Sequence, residues 1–269
     1  MTISERVSLD TLEGLMDLAW PALESSTANG WKLRSAGSVT QRANSVWPQA
    51  VPADVPGALA EATNWYAARR QTVIFQLTHR PENAALEEFL DGHHYSRQSE
   101  TIIMTAGGGQ TGSDPWRPGA AGHGIVLSDT PSPEWLELWW SVDGRGGAPE
   151  RAIARNIMLG TPSIYASAVD GQGRTVGTGR LAVPATGDGP GWGGIYSMAV
   201  HPSVRRQGIA GAMVNALMAA GKTAGLDNFW LMVTAANAGA RELYGRHGYA
   251  EAGRYHYRQA PLRRAPSSC

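Results

Sequence analysis

The chain has 269 residues, enough for one large hydrophobic core or two smaller ones. Its 23 Lys and Arg balance its 23 Asp and Glu, which argues against a general electrostatic grip on nucleic acid or anionic lipid and leaves any bound anion to local groups. Cys269 is the single cysteine, so an intrachain disulfide and a cysteine-based zinc cluster are excluded.

The opening MTISERVSLDTLEGLMDLAW carries early acids and no long apolar run. No segment reaches the roughly 18 apolar residues of a bilayer span, and the expectation is a soluble, cytoplasmic protein without membrane or nucleic-acid partners. Apolar spacing predicts a helix over 9–23, then strands at WKLRSAG and VTQRANSVW. A helix over 57–69, a strand VIFQL, a short helix over 84–90 and a strand SETIIM follow. The run AGGGQTGSDPWRPGAAGHG is too rich in glycine and proline to pack as helix or strand, and it marks a boundary. Beyond it come a strand GIVLS, helices over 134–141 and 149–158, and strands SIYASAV, RTVGTGRLAV and GGIYSMAV. A helix over 206–224, a strand NFWLMV, a helix over 238–246, and strands near Tyr249 and over 254–258 complete the pattern. The last residues, APLRRAPSSC, read as a frayed tail.

A shift of 154 residues without gaps lays 46–95 over 200–249 with twelve identities in fifty positions, among them Val46 with Val200, Gly57 with Gly211, Asn83 with Asn237 and His93 with His247. These residues sit at strand ends, helix starts and turns in the same order, which predicts two copies of one strand-helix-strand-helix unit. The expected division is a degenerate domain 1–105, a linker 106–123, a ligand-binding domain 124–260 and a flexible tail 261–269.

The stretch VRRQGIAG stands where a strand ends and a helix begins. A helix start offers unpaired N–H groups and the positive end of the dipole, the combination that binds phosphate. Arg205 and Arg206 add charge-assisted donors, and Gly208, Ala210 and Gly211 keep the approach open. The loop lacks the Gly-Lys-Ser/Thr of a nucleoside triphosphate P-loop, so a diphosphate held without metal fits best.

With these residues the chain resembles the GNAT superfamily of acetyl-CoA-dependent N-acyltransferases. Its signature is Arg or Gln, any two residues, Gly, any residue, then Gly or Ala, and Arg205, Gly208 and Ala210 meet it. A second block of the family, an asparagine, a tyrosine seven residues on, and a glycine-aromatic pair, is matched by Asn237, Tyr244, Gly248 and Tyr249. The resemblance implies an α/β (α+β) fold of two GNAT-like domains, each a mixed, mostly antiparallel sheet flanked by helices. It implies acetyl transfer from acetyl-CoA directly to an amine, with no metal. It places the pantetheine arm along Met198, Ala199 and Val200, and an oxyanion at the Met198 N–H. The diphosphate falls to Arg205, Arg206, Gln207, Gly208, Ile209, Ala210 and Gly211, with Arg246 in reach of the phosphates. Asn237 orients the pantetheine or a water, and Tyr244 protonates the departing thiolate. The 154-residue shift matches Arg205, Gly208, Ala210 and Tyr244 to Val51, Asp54, Pro56 and Leu90, so the first copy is expected to bind no cofactor this way.

The amine's base is not assigned by the sequence: the strand IYSMAV holds no acid, and Glu134, Glu137, Asp143 and Glu150 all lie where the family shapes its acceptor pocket. Tyr196 and Ser197 could position a water. EWLELWW is either core packing or, through Trp139, an aromatic wall for the acceptor. RSAGSVTQRANS, with Arg42 and Asn44, is either a structural network or a substrate contact. His93 and His94 are adjacent with no third ligand evident and read as a surface turn, and GPGWGG precedes a strand instead of opening a helix, which excludes a dinucleotide fingerprint. A monomer or a homodimer fits, and a non-catalytic acyl-CoA-binding or regulatory module is the competing reading.

Overall fold

The computed structural model describes residues 7–107, 123–187 and 189–261. In chain order the elements are α1 (Leu9–Ala19), β1 (Glu24–Ala28), β2 (Trp31–Ser35), β3 (Val46–Pro48), α2 (Val55–Ala67), β4 (Ile74–Thr78), α3 (Ala84–Gly92), β5 (Ser96–Gly107), β6 (Gly124–Ser128), α4 (Pro133–Asp143), α5 (Ala148–Leu159), β7 (Ser163–Val169), β8 (Thr175–Ala182), β9 (Gly191–Val200), α6 (Ile209–Thr223), β10 (Leu226–Thr234), α7 (Ala238–Arg246) and β11 (Ala250–Gln259).

Two compact units form, and neither is continuous in sequence. The larger takes residues 1–21 with 102–252, and the smaller takes 22–101 with 253–269. The chain therefore changes unit three times, after α1, inside β5 and inside β11, where the expected division was a sequential one at 105 and 124. Most of the expected linker (108–122) and the tail from 262 onward lie outside the described residues.

In the larger unit, β6, β7, β8 and β9 pair antiparallel in succession, and β10 joins β9 in parallel. Residues alternate across this sheet, as the pleat requires. Phe229, Leu231 and Val233 of β10 point into a core shared with Met213, Leu217 and Met218 of α6 and with Tyr244 of α7. Trp230 turns to the other face, where its ring centroid lies 6.3 Å from that of Tyr196. On that face α4 begins at Pro133, and the Ser132 hydroxyl accepts from the Trp135 N–H at 3.1 Å. Its buried residues, Trp135, Leu138 and Trp139, follow helical spacing.

Helix α1 belongs to this unit for a physical reason. Arg180 of β8 is fully buried and donates to the Ala19 carbonyl at 3.0 Å, the Met158 carbonyl at 2.8 Å and the Ser163 hydroxyl at 2.9 Å. Ala19 ends α1 and Met158 lies in the last turn of α5, so one guanidinium satisfies the carbonyl-rich, negative ends of two helices. Thr161 adds a hydroxyl donor to the Leu18 carbonyl.

In the smaller unit, β1, β2 and β3 pair antiparallel, β3 meets β4 in parallel, and β4 pairs antiparallel with β11. Trp31, Leu33, Tyr66, Phe75, Leu77 and Leu90 form its core. Each unit thus contains a mixed, mostly antiparallel sheet flanked by helices. The 154-residue shift is visible in the elements: α3 lies residue for residue over α7, and the parallel pair β3/β4 corresponds to β9/β10.

Local differences from the sequence reading have local causes. The first helix stops at Ala19, and ESSTA becomes β1, paired with β2 from Glu24/Ser35 to Ala28/Trp31. VTQRANSVW is strand only from Val46, because Asn44 gathers the preceding loop. Its Oδ1 accepts from the N–H groups of Ala36 (2.7 Å) and Ser38 (2.9 Å), and its Nδ2 donates to the carbonyls of Val39 and Thr40 at 2.7 Å each. That consumes Asn44 in structure and resolves its role in favour of a network. The two expected C-terminal strands are one, β11.

Candidate active site

The larger unit supplies a cleft. Pairing between β9 and β10 runs from Gly191/Leu226 to Ile195/Leu231, after which β9 continues to Val200 with registered partners on β8 and none on β10. Opposite β8 the register shifts between Thr178/Ala199 and Arg180/Tyr196, two steps on one strand against three on the other. The extra residue produces a bulge at Ser197, which has a φ of 53°. Thr178 steadies it by donating its hydroxyl to the Ser197 carbonyl at 3.1 Å. The splay and the bulge leave the β10-facing backbone of Met198 and Val200 available for pairing.

Beyond Val200 the chain turns into α6. Arg206 and Gly208 have φ of 67° and 79°, and the Arg205 Nε–H reaches back to the Val200 carbonyl at 3.1 Å. Gly208 is the N-cap, with no side-chain cap on the helix. A Cβ on Gly208 would meet nothing within 4 Å, so glycine serves the left-handed backbone, while the space above it stays open. A cavity of about 470 Å³ lies against this turn, lined by Val200, Arg205, Arg206, Gly208, Ile209, Ala210, Gly211, Asn237 and Arg246 among others. Gln207 is exposed and lies outside that lining.

Several side chains do more than the sequence suggests. A Cβ on Gly211 would come within 3.0 Å of His247 Nε2, so its missing side chain admits α7's neighbour, while Gly208 faces the cavity. His247 is buried and its Nδ1 lies 2.9 Å from Asn215 Oδ1, locking the C-terminal end of α7 to α6. Nothing in the motif signals this beyond the repeat identity with His93. Asn237 accepts from the Ala240 N–H at 3.1 Å and caps α7 while its edge lines the cavity. Arg246 is paired with Glu242 at 2.8 Å and remains half-open to solvent.

Tyr244 is buried, its ring edge-on to Tyr249 at 6.0 Å. Burial, with the negative charge of Asp143 reinforcing it, pushes the phenol up to about 12, so it holds its proton at neutral pH. The remaining sequence candidates, Trp139, Tyr196 and Ser197, come together on the α4 face. Trp139 and Tyr196 both contact Trp20, edge-on at 6.3 Å and stacked at 5.6 Å. With 5 % exposure each they are packed rings, and the Ser197 hydroxyl points to Met158 Sδ at 3.7 Å.

An open helix start beside a splayed parallel pair is the architecture of GNAT acetyltransferases, and solved structures agree. The chain is similar to a GCN5-related N-acetyltransferase from Kribbella flavida, with a TM-score of 0.71 and 17% identity over 96% of this chain and 97% of that one. It is also similar to a tandem GNAT protein from the clavulanic acid biosynthesis pathway, with a TM-score of 0.63 and 13% identity over 94% and 89%. A curated relative, the uncharacterized N-acetyltransferase YobR of Bacillus subtilis, is 26% identical over 252 residues, covering 92% of this chain and 96% of that protein.

The particular family follows from the sequence match. Residues 8–258 match the family described as probable histone acetyltransferase Rv0428c C-terminal, and the chain belongs to that family of GNAT-type N-acetyltransferases. Membership in an acetyltransferase family settles the choice between an enzyme and a non-catalytic binding module. Among the described residues no helix is long and apolar enough to cross a membrane.

Proposed function

We propose that the larger unit transfers an acetyl group from acetyl-CoA directly to an amine. The observation that carries this reading is the contrast between the two helix starts. α6 opens on Gly208 with no side-chain cap and two arginines beside a cavity, whereas its counterpart α2 opens on Asp54, whose carboxylate accepts from the Gly57 N–H at 3.0 Å. An acid already occupies the anion position in the smaller unit. The larger unit leaves it to a ligand.

Acetyl-CoA, when bound, supplies a thioester whose acyl carbon is open to attack. Gly208, Ile209, Ala210 and Gly211 would hold its diphosphate through backbone N–H groups, with Arg205, Arg206 and Arg246 adding charge. Gln207, being exposed outside the cavity lining, is assigned to the loop's turn. Met198, Ala199 and Val200 would pair with the pantetheine arm across the splay, and the Met198 N–H would stabilise negative charge on the acyl oxygen. Tyr244, protonated at neutral pH, would give its proton to the leaving sulfur. Trp139 and Tyr196 are assigned to shaping the floor beneath Ser197, since both rings are packed.

The test is release of CoA thiol from acetyl-CoA mixed with spermidine, kanamycin or a lysine-bearing peptide, the last favoured by the family's description as a histone acetyltransferase. We expect turnover with at least one amine, and about a hundredfold lower kcat in Tyr244→Phe at unchanged acetyl-CoA affinity. No release with any amine, or an unaltered kcat in the variant, contradicts the proposal.

A further inference from the structure

An amine acceptor with a pKa near ~10.4 is almost wholly protonated at neutral pH and cannot attack until something takes a proton. β9 offers no acid from Gly191 to Val200. On β10 the one carboxylate is Asp227, exposed in the first turn of pairing near Gly191, at the end of the strands opposite to the splay. Glu242 of α7 lines the cavity but is paired with Arg246 at 2.8 Å, which leaves the four acids of α4 and α5.

Their surroundings separate them. Glu134 lies in the first turn of α4 and is engaged with the Ser132 cap. That is about 14 Å from the far end of the helix at 1.5 Å per residue. Glu137 is exposed in mid-helix. Glu150 closes the start of α5, accepting from the Gly147 N–H at 2.8 Å. Asp143 is the last residue of α4, the helix that packs across β8 and β9. Its carboxylate accepts from the Trp139 side chain one turn back, and it sits within electrostatic reach of Arg205 on the loop before α6 and of Tyr244 on α7. Asp143 thus ends the helix that lies across β8 and β9, one turn beyond the Trp139 ring that meets Trp20 beside Tyr196 of β9, and its charge is felt by the phosphate-side arginine and by the phenol proposed for the sulfur.

Resting on the acetyl-transfer reading above, we infer that Asp143 is the general base, the catalytic residue that takes the proton from a cationic alkylamine acceptor. One ammonium proton passes to the Asp143 carboxylate and on to solvent. The nitrogen lone pair forms the C–N bond, the C–S bond breaks, the nitrogen's second surplus proton leaves to water, and the sulfur takes the Tyr244 proton, which water then restores. Net, one proton is released per acetyl transferred. The class of acceptor follows: a group that arrives positively charged is drawn to a carboxylate, and an anionic acceptor is not.

The surroundings suit the task. Partial desolvation raises the Asp143 carboxyl above its ordinary value, and this outweighs the Trp139 hydrogen bond and the charges of Arg145 and Arg205, although the residue keeps an open solvent face. The Asp143 charge also helps to hold the Tyr244 phenol up. Accepting the amine's proton removes that charge, so the phenol becomes a better acid as the sulfur begins to need one.

The experiment compares wild type, Asp143→Asn and Asp143→Glu with the fastest of the three amines named above, over pH 5–9. We expect Asp143→Asn to lose about a hundredfold or more in kcat/KM and the fall in rate toward acid pH, with acetyl-CoA affinity within threefold of wild type. Asp143→Glu should recover much of the rate. In the acetyl-CoA-free protein, carboxyl carbon resonances compared between wild type and Asp143→Asn should show Asp143 titrating above ~3.9. Retention of rate and of the acid limb in Asp143→Asn, or titration at or below that value, overturns the assignment while leaving acetyl transfer intact. Wild type that acetylates no amine overturns both.

Discussion

At the scale of single residues, charge placement decides what the larger unit can do. Carbonyls at two helix ends and one hydroxyl hold Arg180, with the Trp20 and Tyr196 rings each 5.7 Å from the guanidinium carbon. Burial opposes its charge and lowers its pKa from the ordinary value. Removing the guanidinium strands the Ala19 and Met158 carbonyls in a dry interior, at about 1–3 kcal/mol each. Arg180→Met should therefore destabilise the larger unit by about 2–5 kcal/mol in urea unfolding, and a loss under 1 kcal/mol would show that helix ends do not hold this cation. The sequence offered no sign of this residue's weight. Arg180 stands in a strand whose last six residues are all buried, and its partners lie 161, 22 and 17 positions away.

Among elements, the repeat explains which features were legible. Helical and strand periodicity located most elements, including α3 and α7; the first was expected to stop at Leu90, and it runs on to Gly92, the position that the 154-residue shift lays over Arg246 at the end of α7. Local chemistry also marked the open start of α6, since glycine and arginine act within a few residues of their own backbone. The cleft was less visible: the bulge at Ser197 and the end of β9/β10 pairing depend on strands far apart in sequence. So does a side-chain chain in the smaller unit. There His79 Nε2 lies 3.0 Å from His256 Nδ1, and His256 Nε2 lies 2.8 Å from Glu87 Oε1, linking β4, β11 and α3. Arg97 approaches His79 at 3.0 Å, and Arg258 pairs with Glu87 and Asp91. Burial holds His256 below its ordinary 6.5, with Glu87 opposing and Arg97 and His79 adding to the depression. Between the lowered folded value and 6.5 the unfolded chain binds more protons, so stability rises with pH across that window and is lost as pH falls through it. Melting of the smaller unit should climb between pH 5.5 and 7.5, less steeply in His256→Gln; an identical slope in the variant would exclude this histidine as a source.

For the whole molecule, the chain order does not coincide with the folded units. Glycine and proline content cannot show that α1 returns to pack within the larger unit, because that depends on contacts such as Arg180 with Ala19. If the larger unit transfers acetyl from acetyl-CoA as proposed, the contrast between Asp54 and Gly208 predicts one acetyl-CoA per chain although the unit is repeated. Isothermal titration of CoA into wild type, Gly208→Asp and Asp54→Ala addresses this most directly. Aspartate tolerates a left-handed backbone better than most residues, and a Cβ at 208 has open space, so the first variant puts a carboxylate at the start of α6 at the cost of some backbone strain, and its melting temperature is measured beside the titration. The account predicts one CoA per wild-type chain, binding at least a hundredfold weaker in Gly208→Asp, and unchanged stoichiometry and affinity in Asp54→Ala. Two sites per chain, or undiminished affinity in Gly208→Asp, would contradict it.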